Sequence, residues 1–135
     1  MTFTPKVKKV GTNDREQTKL ALALAKEKRF DEALAEFEAV LQNNPNSKPA
    51  HMGAGNMLVR QQRYDEALAH YQTVKKLDPL RTQAPTAAGK VYLRQGELEL
   101  AKAEFQAALD IDPQFIPAYQ GMAQVLIGEK NMRRP

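Results

Sequence analysis

A 34-residue period constrains this chain more than any other feature of its sequence. Three segments align without gaps, and each has a small residue, an aromatic residue four positions later and a proline eight positions after that. The three sets are Ala33, Phe37 and Pro45; Ala67, Tyr71 and Pro79; and Ala101, Phe105 and Pro113. A fixed period of this length is typical of repeat folds, in which each unit buries its apolar surface against its neighbours.

Each period has the pattern of two helices joined by a short turn. Asn13 followed by Glu16 is typical of a capping box at the start of a first helix. An acidic pair such as Asp31 and Glu32 suits the positive N-terminal end of a second helix, and Pro45 ends that helix because proline cannot continue it. The pattern predicts seven helices, at about 14–27, 31–43, 48–61, 65–77, 82–95, 99–111 and 116–129.

Apolar residues at helical spacing predict which faces of these helices are buried. We expect the first helices to bury Leu20, Ala21, Leu24, Ala54, Gly55, Leu58, Ala88, Gly89 and Tyr92. We expect the second helices to bury Ala33, Phe37, Val40, Leu41, Ala67, Tyr71, Val74, Leu77, Ala101, Phe105, Ala108 and Ile111. The last helix repeats the first-helix pattern and is expected to act as a solvating cap; its stripe is Tyr119, Met122, Ala123 and Leu126.

At these residues the sequence resembles the tetratricopeptide repeat (TPR) family, over nearly the whole chain from Asp14 to Lys130. It departs from the family pattern where a tryptophan is common, because Gln17, His51 and Pro85 stand there. The resemblance implies an all-α fold, in which three helix-turn-helix hairpins and a C-terminal capping helix form a right-handed superhelix (an α-solenoid).

The repeat boundaries predict a domain organisation. We expect a basic, flexible N-terminal tail at 1–13, a TPR domain at 14–130 and a basic C-terminal tail at 131–135. Within the domain, the repeats occupy 14–47, 48–81 and 82–115, and the capping helix occupies 116–130.

The net charge of +4 comes from the ends of the chain. Between Asp14 and Gly128 there are 14 of the 20 basic residues and 15 of the 16 acidic residues, so the body is near neutral. This balance argues against a nucleic-acid-binding fold. The basic residues of the ends are Lys6, Lys8, Lys9, Lys130, Arg133 and Arg134.

The composition also bears on location. The chain has no cysteine, no apolar run long enough to span a membrane, and no apolar segment of a secretory signal near Met1. These features favour a reducing compartment, and we expect a cytoplasmic protein with no membrane partner.

The sequence predicts no catalytic, cofactor or metal site. The two histidines, His51 and His70, lie on different helices of the second repeat without a cysteine, and we expect structural roles for both. Neither a glycine-rich phosphate loop between a strand and a helix nor a zinc-binding HExxH motif is present. Acidic pairs recur at the same place in the repeat, at 31–32 and 65–66, which indicates a helix-start role rather than acid–base chemistry. We therefore expect a protein that is not an enzyme.

The resemblance implies that a concave groove, lined by the first helices of successive hairpins, binds a peptide. Helical geometry assigns to this face the positions off the packing stripe: Arg15, Thr18, Leu22, Ala25, Lys26, Met52, Asn56, Val59, Arg60, Gln83, Thr86, Lys90, Leu93, Arg94, Gln120, Gln124 and Ile127. The candidate binding residues among them are Arg15, Lys26, Met52, Asn56, Val59, Arg60, Lys90, Leu93 and Arg94. Five of these are basic and none is acidic, so the predicted partner is a protein or peptide segment with acidic and apolar side chains.

One feature of the groove positions narrows the class of peptide that this protein is expected to bind. Chaperone-binding members of the family hold a C-terminal carboxylate with Lys, Asn and Arg, whereas the matching positions here are Thr18, Leu22, Gly53, Gln83 and Ala87. We therefore expect no carboxylate clamp of that type.

The leading function is a protein-interaction scaffold or adaptor. One alternative is a self-assembly module that forms homo-oligomers through the last helix, which carries Met122, Val125, Leu126 and Ile127. A second alternative is that these repeats are the TPR part of a longer protein. A weaker alternative is attachment of the basic tails to anionic nucleic acid or membrane, which would weaken steeply with salt.

Overall fold

The structure is a computed structural model that describes residues 13–133, and it contains seven α-helices and no β-strand within that range. The helices are α1 (Asp14–Lys26), α2 (Phe30–Asn43), α3 (Lys48–Arg60), α4 (Tyr64–Leu77), α5 (Gln83–Arg94), α6 (Leu98–Ile111) and α7 (Ile116–Arg133). The all-α prediction is therefore confirmed, and the ends of α1 to α6 agree with the predicted ends to within one residue.

The last helix is longer than predicted. Helix α7 continues to Arg133, four residues beyond the predicted end at 129, because no proline or glycine interrupts residues 129–133. Lys130 and Arg133 also place positive charge at the negative C-terminal end of the helix. Residues 131–133 of the predicted C-terminal tail are thus helical, while 1–12 and 134–135 lie outside the described residues. No helix in the described part of the chain is long and apolar enough to cross a membrane.

Local polar groups start α1, as the sequence predicts, and also α3, for which no cap was predicted. The Asn13 side chain accepts a hydrogen bond of 2.8 Å from the backbone N–H of Glu16. The Ser47 hydroxyl accepts one of 3.3 Å from the backbone N–H of Ala50. These caps satisfy N–H groups that have no partner inside the helix.

The turns inside the three helix pairs share one backbone conformation. Lys28, Gln62 and Gly96 follow the ends of α1, α3 and α5, stand 34 residues apart, and have φ of 62°, 61° and 75°. In each turn, the next residue donates its N–H back to the helix, as Arg29 does to the carbonyl of Leu24 at 2.9 Å. A residue in the left-handed region with this bond is a common helix ending.

The chain divides into two compact units, one up to His70 and one from Tyr71, with the boundary inside α4. In the first unit, α2 packs against both α1 and α3, and α1 contacts α3. Ala33, Phe37 and Val40 on α2 are fully buried. Gly53 on α3 lies directly against the ring of Phe37, where a side chain would have no room.

The second unit has the same arrangement two repeat periods, or 68 residues, further along the chain. Helix α6 packs against both α5 and α7, and α5 contacts α7. The Phe105 ring lies between Gly89 of α5 and Gly121 of α7. It forms a buried cluster with Ala101 and Val125, so this aromatic residue holds three helices together.

Most of the predicted core is confirmed, but the stripes at both ends of the repeat array are partly wrong. Leu20 is 49% exposed. Its equivalent three periods later, Met122, packs against buried residues of the preceding helix α6, whereas no helix precedes α1 among the described residues. Tyr119, Ala123 and Leu126 of α7 are exposed because they correspond to residues that face a following second helix. Leu77 is also partly exposed. The face of α7 that is buried contains Ala118, Gly121 and Val125 instead.

Candidate functional site

The first unit places its predicted binding residues on two neighbouring helices. Arg15, Leu22 and Lys26 are exposed on α1, whereas Thr18 and Ala25 are half-buried. On α3, Asn56 and Arg60 are exposed, and Met52 and Val59 are half-buried. Since α1 and α3 contact each other, this unit presents basic and apolar side chains on adjacent first helices.

Arg60 is held in place by an aromatic ring. Its guanidinium lies 5.6 Å from the centre of the Phe30 ring at the start of α2. A guanidinium over an aromatic face is attracted by the ring's electron density. The contact orients Arg60 and also makes it a contributor to the packing of α3 on α2.

The second unit repeats the arrangement with α5 and α7, which contact each other. Gln83, Lys90 and Arg94 are exposed on α5, while Leu93 is half-buried and packs on the cluster around Phe105. Gln120, Gln124 and Ile127 are exposed on α7.

One predicted groove residue is buried. Thr86 is only 5% exposed, and its hydroxyl donates a hydrogen bond of 2.7 Å to the carbonyl of Thr82 one turn earlier. The hydrogen bond stabilises the first turn of α5. Because Thr86 is buried, it cannot contact a ligand, and its assignment to the groove is wrong.

The structure brings the two histidines together. His51 Nδ1 on α3 lies 2.9 Å from His70 Nδ1 on α4, and His51 Nε2 lies 2.7 Å from the carbonyl oxygen of Pro45. The carbonyl can only accept, so His51 Nε2 carries a proton. In the neutral pair His51 Nδ1 is then the acceptor, and His70 Nδ1 donates. The pair ties α3 to α4 and to the loop before α3.

Burial lowers the pKa of His70 below its usual 6.5, and the neighbouring His51 ring lowers it further. The carboxylate of Glu66, one turn earlier on α4, opposes these effects. A metal role has no support in the described residues, among which no group of three or more His, Cys, Asp or Glu side chains could hold an ion.

A second polar contact occupies the same repeat position in the first repeat. Gln17 donates a hydrogen bond of 3.3 Å to Glu36, and these residues are 19 positions apart, as are His51 and His70. In the third repeat the first partner is Pro85, which has no donor. Glu104 instead accepts from Lys75 Nζ at 2.8 Å and lies 3.5 Å from Gln72 Nε2.

Comparison with known families assigns these repeats. Residues 18–82 and 58–115 match a family model described as tetratricopeptide repeat. The chain belongs to the TPR family. A search of curated proteins gave no match.

Solved TPR structures share the fold. YrrB, described as a TPR protein with an unusual peptide-binding site, is 25% identical with a TM-score of 0.79, and the match covers 84% of this chain and 59% of YrrB. The Yersinia enterocolitica secretion chaperone SycD, in complex with a peptide of the translocator YopD, is 16% identical with a TM-score of 0.81, covering 90% of this chain and 98% of SycD. The first TPR of Spaghetti (RPAP3), bound to an HSP90 peptide, is 15% identical with a TM-score of 0.80, covering 87% and 93%.

The apolar pattern of the sequence did not predict the histidine pair, although the 34-residue period contains a signal for it. The small-residue and proline positions alone define which residues of the two helices face each other. Gln17 and Glu36 show the same 19-residue offset as His51 and His70. Aligning all 34 positions shows that polar pairs recur at this offset in the first two repeats, and the structure shows that the positions are in contact.

The histidine pair predicts a pH dependence of stability. Because the pKa of His70 is lowered in the folded protein, the unfolded chain binds more protons between that lowered pKa and 6.5. This part of the stability is therefore present above pH 6.5 and is lost as the pH falls through that window.

Urea unfolding of the wild type and of His70→Gln at several pH values between about 5 and 7.5 measures this effect. Glutamine keeps a hydrogen-bond donor for His51 but does not titrate. We expect a smaller pH dependence in the variant, and an identical dependence in both proteins would contradict the proposed role of His70.

Proposed function

We propose that this TPR protein is a scaffold or adaptor that binds a segment of another protein along the exposed faces of its first helices. The observation that carries the proposal is the pairing of α1 with α3 and of α5 with α7, each pair presenting basic side chains beside apolar ones. The proposed contact residues are Arg15, Lys26, Met52, Asn56, Val59, Arg60, Lys90, Leu93 and Arg94.

The chemistry of these residues defines the partner segment. The exposed guanidinium and ammonium groups favour carboxylates, while Leu22 on α1 and the half-buried Val59 and Leu93 offer apolar contact area. The segment therefore mixes acidic and apolar residues.

An internal segment suits the site better than a free C-terminus. The Thr18 hydroxyl already donates to the carbonyl of Asp14 at 2.6 Å, and Gly53 has no side chain and lies buried against Phe37. Neither residue provides the donors of a carboxylate clamp. The known TPR complexes with HSP90 and YopD peptides support a peptide ligand in general terms.

The proposal includes the finer architecture expected from the family. The first six helices form three hairpins, and α7 follows them as a capping helix. The function is binding rather than catalysis, and we place it in the cytoplasm. The chain spans about three fifths of YrrB, at 59%, and these repeats could also serve as the TPR part of a longer protein.

A charge-reversal experiment tests the face of the second unit. Lys90→Glu with Arg94→Glu should weaken binding of a fluorescent peptide built from Glu and Leu at least about tenfold, because two favourable charge contacts become repulsive. The measurement is fluorescence anisotropy at low and high salt. Exposed charges contribute only about 0–1 kcal/mol to folding, so the thermal midpoint should change little.

The matched control reverses Lys76 and Lys102, which are exposed on second helices. Lys75 is unsuitable as a control because it pairs with the buried Glu104 at 2.8 Å. Equal loss in both double variants, or equal binding of a Lys–Leu peptide by the wild type, would contradict a specific basic site.

A further inference from the structure

Helix α7 has an apolar face that nothing covers within the described residues. Tyr119 is 53% exposed and Leu126 is 60% exposed, and Ala123 lies exposed between them. The opposite side of α7 is fixed, because Gly121 meets the Phe105 ring and Val125 belongs to the same buried cluster. A helix that only caps a repeat array carries polar residues on its outer face, and α7 does not.

The 34-residue period shows which face of an earlier helix corresponds to the exposed face of α7. One period earlier, Gly89 stands on α5 at the position of Ala123, and a Cβ atom added there would come within 2.7 Å of the Phe105 ring on α6. That face of α5 is therefore the one that packs against the second helix of its own hairpin. Alanine is also accommodated at this repeat position, because Ala21 stands there in the first repeat and is fully buried. By the same register, the exposed face of α7 corresponds to a face that packs against another helix.

A second copy of this chain fits the face by its charge and shape. No charged residue occurs from Ile116 to Gly128, so two copies meet without repulsion between like charges. A two-fold interface requires a surface complementary to itself. The small Ala123 lies midway between larger residues, so an antiparallel pair crossing there places Tyr119 of one copy beside Leu126 of the other.

The one polar atom of the face is already satisfied. The Tyr119 hydroxyl donates a hydrogen bond of 2.7 Å to the carbonyl of Pro113. Burying an unpaired hydroxyl is costly, whereas this ring can be covered while its hydroxyl keeps its partner.

We propose that α7 mediates homodimerisation, with Tyr119, Ala123 and Leu126 of two antiparallel copies packed against each other. Val125, which the sequence also suggested for this role, is 1% exposed and belongs to the core. The interface does not use Lys90 or Arg94, so loss of peptide binding and loss of dimerisation are separate results.

The absence of cysteine from the sequence allows a direct test. Ala123→Cys should form a covalent dimer on mild oxidation, because a disulfide needs Cα atoms within about 7 Å of each other. The control is Gln124→Cys, exposed on the adjacent face of the same helix. Preferential cross-linking of Ala123→Cys supports the pairing, whereas equal cross-linking of both, or none, overturns it.

Sedimentation provides the second measurement. The wild type should dimerise, and Leu126→Glu should weaken the dimer at least about 100-fold by placing charge in an apolar contact. Gln124→Glu, which adds the same charge on the adjacent face, should retain the dimer. Circular dichroism checks that both variants are folded. A wild type that sediments as a monomer at every attainable concentration, or as an assembly larger than a dimer, overturns the proposal.

Discussion

Replacement of Phe105 by alanine should lower the free energy of unfolding by about 3–5 kcal/mol. The ring is fully buried and lies against Gly89 on α5, Gly121 on α7, and the neighbouring Ala101 and Val125. Two of these neighbours are glycines, which have no side chain to move into the vacated space. The cavity therefore stays open, and the loss is large against the usual total stability of about 5–15 kcal/mol.

Leu100→Ala is the control for this prediction. Leu100 lies on the same helix and is about half exposed, so its truncation should cost less than about 1 kcal/mol. Urea denaturation followed by circular dichroism measures both variants. Similar losses in the two would show that the buried face of α6 is misassigned.

Replacement of Gly53 by leucine should cost about 2–3 kcal/mol in the first unit. Glycine is a poorer helix former than alanine by roughly 0.8–1 kcal/mol, and leucine ranks just below alanine. Helix propensity alone therefore predicts that the substitution raises stability. The contact decides the outcome, because the Phe37 ring lies where the new Cβ atom must go. That ring is fully buried, so it cannot move aside without displacing its neighbours.

A double variant checks the physical cause. In Phe37→Ala the ring is gone, so adding Gly53→Leu should fill part of the cavity and recover stability. The coupling energy between the two substitutions, from thermal or urea unfolding, should be about 1–3 kcal/mol in favour of the double variant. If the losses in unfolding free energy are additive, leucine at position 53 destabilises the protein for a reason other than contact with Phe37.

The helix boundaries could be predicted closely because the same local signals recur in each repeat of the sequence. Caps such as Asn13, acidic helix starts such as Asp31, and terminating prolines such as Pro45 act within a few residues. They fix helix boundaries without knowledge of the packing. The end of α7 escaped prediction because no such signal stands at 129, and favourable residues continue to Arg133.

Burial was harder to predict where the repeat ends. The period assigns Leu20 and Leu126 to packing faces, which is correct for their equivalents inside the array. Their exposure depends on whether a neighbouring helix is present, and the residues themselves carry no information about that. The role of Gly53 was also missed, because its significance lies in the Phe37 ring of another helix.

The candidate binding site was predictable only as a set of positions. Helical spacing located Arg60 and Lys90 on exposed faces of first helices. It did not show that Arg60 lies over Phe30 or that Thr86 is buried, since both depend on contacts between turns and helices. Lys75 and Glu104, which form a half-buried ion pair, were likewise separated by 29 residues of sequence.

The left-handed turn residues bear on how much sequence change this protein tolerates. Glycine adopts a positive φ freely, whereas other residues do so at a cost of about 1 kcal/mol. Only Gly96 meets that preference, while Lys28 and Gln62 adopt the same conformation with side chains. Replacing Lys28 or Gln62 by glycine should therefore raise the stability of the protein. Unused stabilising substitutions of this kind are common in proteins that are selected only to exceed a stability threshold. Such a reserve permits binding faces to diverge, because destabilising changes there can be offset at a turn that lies outside the proposed contact residues.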